Sequence, residues 1–281
     1  MTTGTTKAVD RFVRVGDLKL HYLEWGEAGA PPVIMVHGLS GNAHNFDNLA
    51  PHFVPRYHVI SVDVRGRGDS DWAADANYSN DAYVADLEGL RQSLGFERMA
   101  LVGTSLGGRI SLTYAGTYPD RVERTVLNDI GPEIDPRGGS RIASSTRDAV
   151  TTFETMEEVL AWHCEQRVGF SSLSDADQRT VAGYAVKALP GGGYTWKMDP
   201  AVRTDPRRPD PETSWNLARG IPGPVLLVRG GISDLLSPET AQRMVAEMQD
   251  CRMVEVPGVG HAPTLAEPEA FGPVMKFFSL A

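Results

Sequence analysis

Six short apolar runs, separated by stretches with helical spacing, restrict this chain more than any other feature. They occupy residues 32–36, 57–62, 99–102, 122–127, 225–228 and 252–256. Short runs of this kind, the first and third almost wholly apolar and those at 122–127 and 252–256 carrying charged residues, suit the strands of a parallel sheet covered on both faces. Between them, Tyr83, Val84, Leu87 and Leu90 recur at i, i+1, i+4 and i+7, and Ala241, Met244, Val245 and Met248 at i, i+3, i+4 and i+7. Strand–helix alternation of this kind predicts βαβ units and therefore an α/β fold with a mostly parallel central sheet flanked by helices. Ahead of it, residues 11–24 alternate as a hairpin around Gly16-Asp17. With 281 residues, roughly three quarters of the unfolded surface can be buried, so one large core needs no covalent staples.

The alternation breaks between about Gly131 and Gly220. Thr155 with Glu158, then Met156, Val159, Leu160 and His163 on one face, predict one helix. Ser174 with Asp177 starts a second, leading into Val181, Tyr184 and Leu189 and closed by Pro190-Gly191-Gly192-Gly193. The reading is a core of residues 1–131 and 214–281 with a helical cap, or lid, inserted at 132–213.

Charge and composition exclude several classes. The formal net charge is −9 and the densest basic stretch, Arg203 to Arg208, is broken by aspartate and proline. A nucleic-acid partner is not expected, because affinity for phosphate comes from uninterrupted basic surface. An acidic surface also disfavours anionic membranes, no run approaches the ~18 apolar residues of a span, and residues 1–10 lack the apolar core of a signal peptide. A cytoplasmic location follows as an expectation. Cys164 and Cys251 stand far apart in no CxxC pair, which points to two buried thiols rather than a disulfide or zinc site. Neither metal nor cofactor is expected. The apolar C terminus, with Phe271, Val274, Phe277, Phe278 and Leu280, reads as a final helix that leaves room for a homodimer contact.

Gly103-Thr104-Ser105-Leu106-Gly107 follows the third run and precedes a helical stretch, a G-x-S-x-G sequence in strand–turn–helix context. A turn sharp enough to lift the serine hydroxyl above a sheet strains the backbone, and flanking glycines leave it room. The following helix N-terminus favours developing negative charge. A serine needs a base. Of seven histidines, His261 follows the last run in Pro257-Gly258-Val259-Gly260-His261, at the carboxyl edge where open α/β sheets place their sites. The orienting acid belongs between nucleophile and base in chain order. Asp234, in the loop after 225–228, is the favoured acid, and Asp129, after 122–127, is the rival.

With His37-Gly38-Leu39, Asp63 to Ser70, Gly103 to Gly108, Gly231 to Asp234 and Gly260-His261 in this order, the chain resembles the α/β-hydrolase superfamily. The likeness is to its capped branch of small-molecule serine hydrolases: carboxylesterases, enol-lactonases and carbon–carbon hydrolases. The resemblance implies an oxyanion hole from the backbone N–H groups of Leu39 and Leu106, with Asp63 and Arg65 structural. It implies Ser105 attack on a small ester, lactone or related carbonyl substrate and release through an acyl-enzyme. Aspartate replaces the serine in epoxide hydrolases and haloalkane dehalogenases, so those activities are disfavoured. His37, Gly38, Trp162, Arg141 and Arg167 are candidate substrate-binding residues, an inward arginine being suited to clamp a carboxylate. The alternatives are a carbon–carbon hydrolase or acyltransferase of the same fold, and a hydrolase-like ligand receptor with slow or no turnover.

Overall fold

A computed structural model describes residues 7–54, 56–147, 150–166, 170–203 and 210–280. The hairpin is present as β1 (Val9–Val15) and β2 (Leu18–Trp25), paired antiparallel with Val15 opposite Leu18. The six apolar runs form β3 (Pro32–Val36), β4 (His58–Val62), β5 (Met99–Thr104), β6 (Val122–Asn128), β10 (Val225–Gly230) and β11 (Cys251–Val256). The helices around them are α1 (Asn80–Ser93), α2 (Leu106–Thr117), α6 (Pro211–Arg219), α7 (Pro238–Glu247) and α8 (Pro268–Phe277).

The eight strands lie in the order β1-β2-β4-β3-β5-β6-β10-β11, parallel from β4 onward. Alternate residues of one strand feed opposite cores, as a two-residue period requires. Ile34 and Val36 join Leu87 and Leu90 of α1, Ile110 and Tyr114 of α2, and Trp215 of α6. Val33 and Met35 pack with Phe46, Phe53 and, from α8, Val274 and Met275. The chain crosses from β4 back over β3 to β5, so β3 and β5 are neighbours whose following loops run apart. Such a switch point leaves a crevice at the carboxyl ends of the strands.

Between β6 and α6 lies the insertion, with α3 (Pro136–Arg147), α4 (Met156–Gln166) and α5 (Asp175–Ala185). It is not wholly helical: β7 (Thr152–Phe153), β8 (Val186–Ala188) and β9 (Tyr194–Trp196) form a small antiparallel sheet in the order β7-β9-β8. Ser174 caps α5 as its sequence indicated, accepting from the Asp177 N–H. The helix stops at Ala185, however, and the Pro-Gly-Gly-Gly stretch is the turn of the β8–β9 hairpin, with Gly192 and Gly193 at φ of 95° and 76°. β-Branched Val186 and the glycine-rich turn favour a hairpin over the helix extension. The insertion has its own apolar cluster of Phe153, Val159, Phe170, Ala182, Val186 and Trp196. At its far end α6 already packs on α2, and its residues Trp215 and Ala218 are part of the main core.

The insertion is tied down along a polar seam. Tyr184 stacks on His44 at 3.4 Å between ring centroids, the Trp72 indole donates to the Lys197 carbonyl at 2.9 Å, and Lys197 pairs with Asp69 at 2.7 Å. Among the described residues no helix is long and apolar enough to cross a membrane. Cys251 is buried, and burial pushes its thiol up to about 12, whereas Cys164 is exposed on α4, contrary to the expectation of two buried thiols.

Candidate active site

Ser105 lies between β5 and α2 with φ 54° and ψ −113°, a left-handed conformation that a residue with a Cβ adopts only under constraint. The constraint is steric. A Cβ on Gly107 would fall on the carbonyl of Val36, one on Gly103 on the Gly107 carbonyl, and one on Gly108 on the Ile130 side chain. The three glycines thus let α2 start directly against β3 and β5, with Ser105 at the apex and Leu106 as the first helical residue. The Ser105 N–H is held by the Asn128 carbonyl at 3.0 Å.

His261 reaches Ser105 from the loop after β11. Its Nε2 lies 2.8 Å from the Ser105 hydroxyl, and its Nδ1 lies 2.8 Å from Oδ2 of Asp129. The structure therefore pairs His261 with Asp129 and not with Asp234, the acid favoured from sequence. Asp129 is wholly buried, directly follows β6, and takes φ 54°, a conformation aspartate tolerates better than most residues. Its Oδ1 accepts from the Gly230 N–H at 2.9 Å, and its Oδ2 also accepts from the Ser233 hydroxyl at 2.6 Å. Asp234 points to the insertion instead, where Arg141 grips it through two bonds of 2.6 and 2.7 Å. That guanidinium holds the Asp234 carboxyl below the usual carboxylate range. The reason is geometric: β10 continues to Gly230, and its loop wraps around the Asp129 carboxylate, which carries Asp234 past the histidine and under α3. There the Asp234 carbonyl also accepts from the Gly138 N–H at 2.9 Å.

Gly38 lies against the elbow, since a Cβ there would stand 3.6 Å from that of Ser105. His37 is fully buried. Its Nε2 accepts the Val64 N–H at 3.2 Å, which places the proton on Nδ1, donating to the Gly38 carbonyl at 2.7 Å. Burial pushes this imidazole down to about 4, so it is neutral near pH 7 and serves the loop rather than a proton transfer. Trp162 packs edge-on against Trp196 at 4.7 Å, within the apolar cluster of the insertion. Arg141 is taken up by Asp234, and Arg167 lies outside the described residues. Asp63 and Arg65 hold loops together: Asp63 accepts from the Ala43 and Asp69 N–H groups at 2.6 and 2.9 Å, and Arg65 forks onto Asp86.

Two residues of the site escaped the sequence reading: Ser233, whose hydroxyl donates to Asp129, and Asn128. Asn128, wholly buried at the end of β6, donates to the Pro263 carbonyl at 2.7 Å and to the Thr104 hydroxyl at 3.1 Å. It ties the elbow to the histidine loop. Its signal was a lone amide side chain ending the apolar run Val126-Leu127.

Fold and site together define a hydrolase-type constellation on a doubly covered α/β sheet, and the match to known sequences has the same sense. Residues 31–268 match the model of the α/β-hydrolase fold family, and the chain belongs to that family. It is an enzyme of the hydrolase class. It is 36% identical over 273 residues to the 3-hydroxybutyrate-oligomer hydrolase of Cupriavidus necator, covering 93% of each chain. It is 30% identical to the 2-(acetamidomethylene)succinate hydrolase of Mesorhizobium japonicum, covering 93% of this chain and 91% of that one. Among solved structures, an α/β hydrolase from Novosphingobium aromaticivorans is 32% identical and superimposes with a TM-score of 0.84, covering 98% of this chain and 99% of that one.

Proposed function

We propose that this chain is a serine esterase of small hydroxyacid esters, acting through an acyl-enzyme on Ser105. The observation that carries the reading is the unbroken hydrogen-bonded series from Ser105 through His261 to buried Asp129, on an elbow whose strain is built in by three glycines. His261 Nε2 takes the Ser105 proton as the oxygen attacks the ester carbonyl. Asp129 keeps the proton on Nδ1 and stabilises the imidazolium. The N–H groups of Leu39 and Leu106 receive the oxyanion. His261 then protonates the leaving alcohol, and a water activated by the same imidazole releases the acid. The 36% identity to a 3-hydroxybutyrate-oligomer hydrolase over nearly the whole chain supports a short oligoester with a hydroxyl and a carboxylate end as substrate.

The test couples a fluorophosphonate probe, which phosphonylates only an activated serine, with turnover of the linear 3-hydroxybutyrate dimer. Label on Ser105 that disappears in His261→Ala, together with release of monomer, is the expected result. A folded wild-type protein that takes no label refutes the serine mechanism. Label without cleavage of the dimer refutes the substrate alone.

A further inference from the structure

We propose that Arg67 is a positioning residue for the oxyanion hole, its guanidinium fixing the backbone of Leu39 so that the Leu39 N–H points at the developing charge. The proposal rests on the reading of Ser105 as nucleophile. A tight turn drives this cation inward. After β4, the backbone passes through Gly66 and Gly68 at φ of 75° and 53°. A Cβ on Gly66 would meet the Tyr78 ring and one on Gly68 the Asp63 carboxylate. The tight passage sends Arg67 into the protein, where it is 1% exposed.

Arg67 has no carboxylate partner among the described residues. Its Nε–H donates to the Leu39 carbonyl at 3.1 Å, and its Nη1 donates to the Arg65 carbonyl at 2.9 Å and to the Tyr83 hydroxyl at 2.5 Å. Its Cζ stands 5.7 and 5.3 Å from the ring centres of Tyr78 and Tyr83. Nη2 is buried without a hydrogen-bond partner among the described residues. Burying a guanidinium without a counter-ion opposes folding, and a methionine or leucine would fill this space at less cost. Packing therefore does not explain the residue. What an aliphatic chain cannot supply is a rigid donor aimed at the Leu39 carbonyl.

That carbonyl belongs to the peptide after Leu39. The peptide before it, which carries the Leu39 N–H, is held at its own oxygen: Gly38 O accepts from His37 Nδ1 at 2.7 Å and from the Gly41 N–H at 3.1 Å. Both peptide planes flanking Leu39 are thus held at their carbonyl oxygens, one by His37 and one by Arg67. With both fixed, the Leu39 dihedrals cannot relax, and the N–H meets the oxyanion without reorganisation, the condition under which such donors act most strongly. A donor of full positive charge also polarises the amide chain it bonds to.

The test uses Arg67→Met, Arg67→Lys and Tyr83→Phe in the full chain. For each, kcat and KM on a short-chain p-nitrophenyl ester are normalised to sites titrated by fluorophosphonate. The affinity for a trifluoromethyl ketone, which places an oxyanion in the same hole when Ser105 adds to it, is measured alongside. Loss of one donor of such a hole lowers kcat about 10²–10³-fold, so a displaced donor is expected to lower kcat per titrated site about 10–100-fold in Arg67→Met. KM stays within about threefold while ketone affinity weakens in parallel with kcat. Arg67→Lys, cationic but without the planar fork, recovers only part of the loss.

A role in packing alone lowers the melting temperature and the titratable fraction but leaves kcat per site and ketone affinity at wild-type values; that outcome overturns the proposal. Should Arg67→Met not fold, Arg67→Lys and Tyr83→Phe decide, and wild-type kcat per site in both overturns it equally. Failure of the parent reading looks different, because then wild-type Ser105 takes no label.

Discussion

Replacing Asp129 by asparagine removes one charge and changes almost no volume, so its effect is set by the hydrogen bonds around that carboxylate. Asp129 accepts three of them, from the Gly230 N–H, the Ser233 hydroxyl and His261 Nδ1. Asparagine keeps the bond from Gly230 only if its oxygen stays at the Oδ1 position, which turns its NH2 toward His261. The imidazole must then accept at Nδ1, so its proton moves to Nε2, the atom 2.8 Å from the Ser105 hydroxyl. A ring protonated there cannot take the serine proton. The same change of tautomer in a Ser-His-Asp protease lowers kcat about 10⁴-fold, and at ~1.4 kcal/mol per decade this is about 5.5 kcal/mol of transition-state stabilisation. Asp234→Asn serves as the comparison. It breaks only the pair with Arg141, whose side chains are 50% and 33% exposed; such pairs contribute about 1 kcal/mol or less. Initial rates on a short-chain p-nitrophenyl ester, with circular dichroism to verify folding, measure both. Asp129→Asn is expected to lose about four decades and Asp234→Asn at most about fivefold. A loss above about 100-fold in Asp234→Asn, with Asp129→Asn near wild type, refutes the assignment of the acid.

Other residues carry predictions of their own. Gly107→Ala places a methyl on the Val36 carbonyl, an overlap only the backbone can relieve; a drop of about 3 kcal/mol or more in urea unfolding is expected, and an unchanged midpoint contradicts the elbow geometry. The His37 imidazole, at about 4 against an ordinary 6.5, takes up its proton at higher pH in the unfolded chain than in the folded one. Its contribution is therefore full above pH 6.5 and lost as pH falls toward 4, by about 3 kcal/mol. His21 opposes this: burial lowers its pKa, but hydrogen bonds to Asp63 and Asp10 with the nearby charges of Asp63 and Asp69 together raise it. The readout is accordingly the difference in acid destabilisation between wild type and His37→Gln, and equal slopes refute it. Finally, Ellman's reagent should titrate one thiol in the native protein, exposed Cys164, and a second, Cys251, only in denaturant; two fast thiols contradict the burial of β11.

Strand positions were legible because burial on both faces leaves no choice of residue: Val33 to Val36 and Val225 to Val228 are wholly or almost wholly buried and are apolar for that reason. The Ser105 elbow was legible because backbone strain and close approach demand glycine at named positions, a local requirement written in five consecutive residues. Signals weakened where local preference was divided. Residues 186–193 have helix-compatible spacing before a glycine stop, and the stop proved to be a hairpin turn whose strand pairs β9 across the sheet, with Val186 opposite Trp196.

The two aspartates mark the boundary most sharply. Both follow apolar strands, and both lie between Ser105 and His261 in chain order. By itself the sequence determined that a serine at a glycine-lined elbow and a histidine after the last strand face the same edge of one sheet, because strand period and turn sterics are local physics. Which carboxylate meets the imidazole was decided only by the tertiary structure. β6 lies between β5 and β10, so Asp129 emerges beside the elbow, while the loop after β10 folds over it and delivers Asp234 to Arg141. A hydrogen bond between residues 132 positions apart depends on strand order and loop path, and neither is a property of any short stretch of chain.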